Sequence, residues 1–184
     1  MTDDFFPSFI LEPKKIIENI IWFLNPIEEP PQKFLQLVVQ DTETNVYSDL
    51  LMKDGFSVKN ITESGLLAAL NSDSEKGLQK NHFNIVFSFA NDHISENLIL
   101  LSSSIHSLLR PSSYFIYEIK VTENLESIKK ILLRSFETVN FLTPWSQMAT
   151  NPFSPFDQNQ SKYCWIVALS QDSDDDPAEW LQNL

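Results

Sequence analysis

Glycine is scarce in this chain, and its scarcity excludes several classes of phosphate-binding site. The 184 residues contain three glycines, Gly55, Gly65 and Gly77, where an average composition would give about 13. Loops that bring a phosphate against bare backbone need two or three glycines close together, and these three are well separated along the chain. The sequence therefore contains neither a Walker loop nor a G-x-G-x-x-G dinucleotide fingerprint.

Cysteine is present once, at Cys164. A single cysteine forms no disulfide within the chain, and it excludes a cysteine-rich zinc or iron–sulfur site made by this chain alone. Its apolar surroundings (YCWIVAL) predict a small core residue. The cysteine usage is typical of a reducing compartment, and the acidic start (MTDDFF) differs from the basic start of a secretory signal. We therefore expect a cytoplasmic location, with the nucleus as a second possibility.

Long apolar runs and excess positive charge are also absent. The longest apolar stretches, 16–24 and 83–90, are about half the length of a membrane span. Lys and Arg number 13 against 25 Asp and Glu, which gives a formal net charge of −12. That charge repels phosphate backbones and anionic lipid headgroups, so we expect neither nucleic-acid nor membrane binding. No metal site is expected either, because His82, His93 and His106 lack any local ligand spacing.

What the sequence does contain is a regular alternation of strand and helix patterns. A hydrophobic fraction of 42% over 184 residues is sufficient for one folded domain. Residues 1–33 form an N-terminal extension with a helical apolar stripe at 14–24, residues 34–170 the folded domain, and residues 171–184 an acidic C-terminal tail. Within the domain, strands are predicted at 34–40, 56–61, 83–90, 114–119, 136–142 and 163–169, and helices at 44–53, 64–71, 96–109 and 125–134.

This order of elements predicts an α/β fold. Apolar strands that alternate with helices indicate a mostly parallel sheet with helices on both faces. The last two strands follow one another without a helix between them, so they must pair antiparallel. A parallel sheet closed in this way is the three-layer sandwich of the methyltransferase-like Rossmann fold. The runs 34–40 and 83–90 are apolar on both faces, which predicts adjacent, central positions for them.

Two segments resemble S-adenosylmethionine-dependent methyltransferases. Residues 83–90 (FNIVFSFA) are similar to the family's fourth strand, and residues 108–115 (LLRPSSYF) to its L-[KR]-P-G-G-x-[FL] turn, with two serines in place of the glycines. The resemblance implies that any S-adenosylmethionine site would involve Glu63 as the ribose-binding acid, with Asp41 and Asp92 as further candidates. An ordinary surface glutamate is the alternative interpretation of Glu63.

The departures from that family are equally informative. Its members follow the first strand with a glycine-rich loop, whereas residues 40–45 (QDTETN) contain no glycine and add Asp41 and Glu43. Such side chains would fill the space and repel the cofactor's carboxylate, so we expect no bound cofactor and no catalytic residues. Residues 62–82 are too few for a helix, a strand and another helix, so we expect one strand to be missing from a sheet edge.

A narrower resemblance is to the N-terminal domain of the anamorsin family of cytosolic iron–sulfur assembly factors. Residues 34–41 (FLQLVVQD) are similar to its opening strand, 161–166 (SKYCWI) to its final strand, and 171–179 to the start of its acidic linker. That family carries cysteine clusters in a C-terminal segment that this sequence does not include, and it normally lacks the extension 1–33. The resemblance implies a non-catalytic domain that binds a protein partner.

Aromatic and apolar residues outside the predicted strands are the candidates for partner binding. They are Trp145, Phe153 and Phe156 in the proline-rich insertion before the last strand, and Trp180 and Leu181 in the acidic tail. Folding of the tail residues back onto the domain is the alternative. Two other functions stay open, an active methyltransferase with a divergent cofactor loop and a pseudo-methyltransferase domain of a larger synthase. The sequence does not determine the oligomeric state.

Overall fold

The structure is a computed structural model, and it describes residues 33–38, 45–71, 78–91, 97–120, 124–143, 154–157 and 163–170. The strands in these ranges are β1 (Lys33–Val38), β2 (Ser57–Thr62), β3 (Phe83–Asn91), β4 (Leu109–Lys120), β5 (Thr138–Thr143), β6 (Ser154–Pro155) and β7 (Tyr163–Leu169). The helices are α1 (Asn45–Lys53), α2 (Glu63–Asn71), α3 (Leu98–Leu108) and α4 (Leu125–Leu132). The predicted N-terminal helix and the acidic tail lie outside the described residues.

All seven strands belong to one sheet, in the order β2-β1-β3-β4-β7-β5-β6. β1 pairs in parallel with both β2 and β3, and β3 pairs in parallel with β4. β7 runs antiparallel to both β4 and β5, and the short β6 runs antiparallel to β5. The predicted mostly parallel sheet is confirmed, and so are the adjacent, central positions of its first and third strands.

The last strand is more central than a terminal hairpin requires. β5 and β7 pair antiparallel as predicted, but β7 inserts between β4 and β5 instead of lying at the edge. The five residues inside β7 are all buried, whereas Thr138 and Asn140 of β5 are exposed. A strand that is apolar on both faces is stable between two neighbours, and the more polar β5 tolerates the outer position.

The handedness of the crossovers distributes the helices over two faces. From β1 the chain crosses outward to β2 and then back past β1 to β3, so these two connections run in opposite directions. Right-handed connections therefore place α1 on one face, and α2, α3 and α4 on the other. The apolar clusters agree with this assignment. Leu51 of α1 packs with Phe34 and Ile85, whereas Leu66 of α2 packs in a separate cluster with Leu101 of α3.

Most element boundaries differ from the predicted ones by one or two residues, and three differences have a structural reason. β4 begins at Leu109, directly after α3, because Leu109 pairs with Phe83 before a bulge in which Ser112 adopts a φ of 53°. β5 begins at Thr138 because the preceding residues form a turn, in which the N–H of Phe136 donates to the carbonyl of α4's last residue. β6 adds a short strand in the insertion for which no strand was predicted.

The described sheet is narrow on the β2 side. Among the residues that the structure describes, no strand lies beyond β2, and α2 is the one regular element between β2 and β3. The exposed and half-buried residues of β2 are consistent with an edge strand. This arrangement agrees with the predicted loss of one strand from the parallel half of the sheet.

Large aromatic side chains fill the centre of the domain. Trp165, Tyr117, Phe34 and Phe87 are among the largest fully buried residues. Cys164 is buried beside Trp165, so its predicted role as a small core residue is confirmed. Burial raises the pKa of the Cys164 thiol to about 12, which keeps the sulfur protonated and unreactive near neutral pH.

Helix α2 begins at the carboxyl end of β2 without an intervening loop. The Oγ1 of Thr62 accepts a hydrogen bond of 3.0 Å from the backbone N–H of Gly65 and so caps the helix. A Cβ at Gly65 would lie 2.8 Å from that oxygen, so the close approach requires glycine. The cap fixes the position of Glu63, the first residue of α2.

We expect Thr62→Ala to lower the free energy of unfolding by about 0.5–2 kcal/mol, because α2 loses the acceptor that caps its first turn. Urea unfolding followed by circular dichroism measures the change. Thr62→Ser keeps the hydroxyl and is the matched control, with a clearly smaller loss. Equal losses in the two variants would contradict the capping role and assign the effect to the packing of the threonine methyl group.

Candidate functional site

The candidate site lies where the connections leaving the sheet diverge. From β1 the chain crosses to β2 on one side, whereas from β3 it crosses to β4 on the other. In open α/β sheets, ligands bind in the crevice outside the carboxyl ends of such strands. The β1–β3 pairing runs from Phe34 opposite Ile85 to Gln36 opposite Phe87. At the next position, the buried Ser88 hydroxyl donates to the backbone carbonyl of Leu37 at 3.0 Å, and this side-chain bond ties the two strands together below the crevice.

The end of β3 is irregular beside this crevice. Ser88 lies opposite Tyr117 of β4, and Asn91 lies opposite Ile119. An advance of three residues along β3 therefore matches an advance of two residues along β4. Such bulges bend a strand, change the direction of its side chains and are common next to binding sites. Asp92, which was predicted as a candidate at this edge, follows β3 directly but lies outside the described residues.

Glu63 is the one predicted cofactor-site residue that the structure describes. Its Oε1 accepts a hydrogen bond of 3.1 Å from the Tyr117 hydroxyl, and the Tyr117 side chain is 2% exposed. Glu63 is half-buried and stands in the first turn of α2, where the helix dipole favours a carboxylate. The interpretation of Glu63 as an ordinary surface residue is therefore incomplete, because a buried tyrosine from another strand holds its side chain.

The loop that follows β1 contains Asp41 and lies outside the described residues. The helix after that loop, α1, is attached to the sheet by polar contacts. The buried Ser48 hydroxyl bonds to the side-chain amides of Gln36 on β1 and Asn60 on β2, with 2.6 Å between Ser48 Oγ and Asn60 Oδ1. The Ser48 hydroxyl has one proton and two amide oxygens within reach, so it donates to one of them at a time and can lie in the core without a large penalty.

A second polar cluster lies on the α1 face, between β4 and β7. The Trp165 indole donates to Oε2 of Glu118 at 2.6 Å, and Phe89 stacks on the Trp165 ring with centroids 5.0 Å apart. The ring of Tyr47, from α1, lies 5.2 Å from that of Phe89. Burial raises the pKa of Tyr47 to about 12, and the negative charge of Glu118 adds to the shift.

Sequence reasoning did not single out Glu118, although a signal was present. Glu118 is the one charged residue in the otherwise apolar run YFIYEI, which was predicted to be a buried strand. The structure places it directly opposite Trp165 on β7, which supplies the hydrogen-bond donor that a buried carboxylate requires. The partner could not be inferred without the β4–β7 register.

The predicted partner-binding residues are largely outside the described ranges. Trp145, Phe153, Trp180 and Leu181 are in this group. Phe156 is half-buried and packs against the larger apolar cluster, and its backbone N–H donates to the carbonyl of Phe141 at 2.9 Å. Part of its side chain therefore contributes to the domain itself, and its role toward a partner stays a prediction.

The two histidines that the structure describes, His82 and His106, do not meet at the candidate site. His82 precedes β3 at the opposite edge of the sheet. His106, on α3, is half-buried, and its ring packs edge-on against Phe136 with centroids 5.7 Å apart. Burial lowers its pKa. His93 lies outside the described residues.

Two structural features are absent from the described residues. In those ranges, no three His, Cys, Asp or Glu side chains come together in an arrangement that could hold a metal ion. Likewise, none of the four described helices has the length and apolar character that crossing a membrane requires.

Comparison with known proteins identifies the fold through solved structures. No protein-family model matches the chain, and no curated protein does. A TehB-like SAM-dependent methyltransferase from Corynebacterium glutamicum superposes with a TM-score of 0.57 at 12% identity, over 85% of this chain and 88% of that one. A SAM-dependent methyltransferase from Archaeoglobus fulgidus gives 0.53 at 13% identity, over 86% and 95% of the two chains.

The CurJ carbon methyltransferase superposes with a TM-score of 0.54 at 15% identity, over 86% of this chain and 54% of that one. This chain thus spans about half the length of the CurJ structure. At such identities the likeness concerns the fold alone. The chain has the methyltransferase-like Rossmann fold that its sequence predicted.

We expect the stability of the protein to fall as the pH rises from about 9 to 12. The folded-state pKa values of Tyr47 and Cys164 are both raised to about 12, from ordinary values of 10.0 and 9.0. The unfolded chain therefore releases these protons at lower pH than the folded chain, and each release favours unfolding. Urea unfolding at a series of pH values measures the loss.

Tyr47→Phe and Cys164→Ala test the two contributions separately. Tyr47→Phe keeps the ring and removes the titrating hydroxyl, so the alkaline loss should become shallower above about pH 10. Cys164→Ala should reduce the loss of stability that begins near pH 9. Unchanged pH profiles in both variants would contradict the assignment to these groups.

Proposed function

We propose that this chain is a non-catalytic, methyltransferase-like domain that acts by binding another protein. The observation that carries the proposal is the hydrogen bond between Tyr117 and Glu63. Glu63 is the residue that would bind the ribose hydroxyls in the methyltransferase resemblance, yet its carboxylate is attached to a buried side chain of the domain's own sheet. A ribose that bound both carboxylate oxygens would have to share Oε1 with this internal donor.

The loop after β1 supports the proposal from its sequence. Residues 40–45 contain no glycine, so close approach of a cofactor to the backbone is sterically costly. Asp41 and Glu43 add negative charge near the place of the cofactor's carboxylate. At an effective dielectric of about 20, one like-charge contact near 4 Å costs roughly 4 kcal/mol before screening, which corresponds to about three orders of magnitude in affinity.

Methyl transfer would also demand accurate positioning. The sulfonium must be held at near-attack distance from the acceptor, and orientation of this kind supplies about 7–11 kcal/mol in favourable cases. A loop that disfavours the cofactor weakens both its binding and its alignment. The fold can therefore persist as a scaffold while its chemistry is lost, since function resides in the site and not in the fold.

An S-adenosylmethionine-binding methyltransferase is the second candidate function. It is favoured by the divergence of the connections at β1 and β3 and by Glu63 in the first turn of α2. The likeness to SAM-dependent methyltransferases agrees with it. This candidate requires the residue 40–45 loop to direct both of its carboxylates away from the cofactor.

Isothermal titration with S-adenosylmethionine and S-adenosylhomocysteine distinguishes the two candidates. We expect no saturable heat with either compound up to about 1 mM, a limit that corresponds to roughly 4 kcal/mol of binding free energy. A methyltransferase of known activity serves as the positive control for the ligand preparation. Binding below about 100 µM that Glu63→Gln abolishes would overturn the non-catalytic proposal.

The anamorsin resemblance proposes the biological setting, namely cytosolic iron–sulfur cluster assembly. In that setting the candidate contact residues are the aromatic side chains of the insertion and the tail. The test compares proteins that co-purify with the wild-type chain and with the Trp145→Ala/Phe153→Ala variant. Iron–sulfur assembly factors should be enriched with the wild type and depleted with the variant, and Leu133→Ala, which truncates an exposed apolar residue after α4, is the control.

A pseudo-methyltransferase domain of a larger synthase is a further alternative. It is favoured by the likeness to the CurJ carbon methyltransferase and to the CMeT domain of the citrinin polyketide synthase, which covers 54% and 52% of those two chains. Exclusive co-purification with synthase modules would favour this setting over iron–sulfur assembly.

A further inference from the structure

A group of basic side chains lies at the amino edge of the parallel strands, opposite the candidate site. Lys33 begins β1, His82 precedes β3, and Arg110 is the second residue of β4. Lys59 lies on the neighbouring β2. Arg110 is exposed, whereas Lys33, Lys59 and His82 are half-buried. We call these four residues the amino-edge basic cluster.

Backbone contacts hold the cluster in place. The N–H of Lys33 donates to the side chain of Asn84 at 2.9 Å, which ties the start of β1 to β3. The N–H of His82 donates to the carbonyl of Leu108 at 2.9 Å, which ties the residue before β3 to the end of α3. The backbone positions of Lys33 and His82 are therefore fixed by hydrogen bonds to β3 and α3.

The members of the cluster share one electrostatic environment. Burial lowers the pKa of His82, and the charges of Lys33, Arg110 and Lys59 lower it further. A positive potential of this kind stands out on a chain whose formal net charge is −12. A region of this sign attracts acidic groups.

The antiparallel β7 brings the chain back to this same edge. The Ser170 hydroxyl, just after β7, donates to the backbone carbonyl of Arg110 at 2.7 Å. It also accepts from the N–H of Ser113 at 2.9 Å, and the Ser170 N–H donates to the Ser113 carbonyl at 2.8 Å. Ser170 is 2% exposed, so the point at which the next segment leaves the sheet is fixed beside Arg110.

The residues that follow Ser170 are strongly acidic. The sequence QDSDDDPAE at 171–179 carries four aspartates and one glutamate. Asp172 is two residues after Ser170, whose position beside Arg110 is fixed. Two residues span at most about 7 Å, so the Cα of Asp172 lies within that distance of the Cα of Ser170.

We propose that the acidic segment 171–179 associates with the amino-edge basic cluster of its own chain. Single exposed ion pairs contribute little, but a tether of a few residues gives the segment an effective concentration in the millimolar range. The association needs no fixed conformation, because each carboxylate of the segment can pair with any of several cationic side chains of the cluster. The segment thereby competes with any acidic peptide for this edge, and the inference does not depend on the proposed function of the opposite edge.

The test is the pKa of His82, measured by NMR titration of the full chain. In Asp172→Asn/Asp174→Asn the compensating negative charge is removed, so the pKa of His82 should fall by about 0.2–0.7 units. The control Asp49→Asn/Glu126→Gln removes two exposed carboxylates from α1 and α4 and should leave it unchanged. The difference should vanish near 1 M salt, where charges are screened within about 3 Å.

Three outcomes would overturn the proposal. The first is an unchanged His82 pKa in Asp172→Asn/Asp174→Asn, and the second is a shift at His106 alone, which would place the segment beside α3 and Phe136 instead of the basic cluster. The third is a shift that depends on protein concentration, which would indicate a second copy of the chain. A synthetic peptide of sequence QDSDDDPAE should bind Asp172→Asn/Asp174→Asn more tightly than the wild type, because the weakened segment competes less for the cluster. Equal affinities would also contradict occupancy of the cluster by the chain's own segment.

Discussion

The parallel pairing of β1 with β3 is the contact on which the rest of the structure depends. The two strands are adjacent, but the chain reaches β3 only after crossing outward to β2 and back. Because crossovers are right-handed, this reversal places α1 on one face and the other three described helices on the opposite face. The same reversal marks the position, at the carboxyl ends of the two strands, where open α/β sheets bind ligands. Fold and candidate site thus have one physical origin.

Several polar side chains that the structure describes in the carboxyl half of the sheet are bound within the domain. Tyr117 reaches Glu63, Ser88 reaches the backbone of Leu37, and Trp165 reaches Glu118. A buried polar group requires a partner, and in this domain the partners come from neighbouring strands. A site that satisfies its own polar groups has less to offer a ligand, which is the physical basis of the non-catalytic proposal.

The two edges of the sheet have different chemistry because β7 is antiparallel. Parallel strands alone would bring every connection from the carboxyl edge back to the amino edge through a helix. β7 instead ends at the amino edge, beside Arg110, and delivers the acidic sequence there. The topology therefore places the start of the acidic sequence beside basic residues that are distant from it in the chain.

The sequence by itself determined the type and order of the elements, since these follow from local periodicity. It identified the α/β fold, the central positions of β1 and β3 and the burial of Cys164, because a run that is apolar on both faces has only the interior of a sheet to occupy. It also located Glu63 at a strand end. In contrast, the boundary of β4 depended on a bulge against β3, which local patterns do not encode.

Only the tertiary structure decided which side chains meet. Tyr117 and Glu63 are 54 residues apart, and Trp165 and Glu118 are 47 apart. Neither pair has a local spacing signal, because its geometry arises from strand order and register. The insertion of β7 between β4 and β5 was decided in the same way, by which strand gains more from burial on both faces. Local sequence sets what each segment can become, whereas the packing of the whole sheet selects its neighbours.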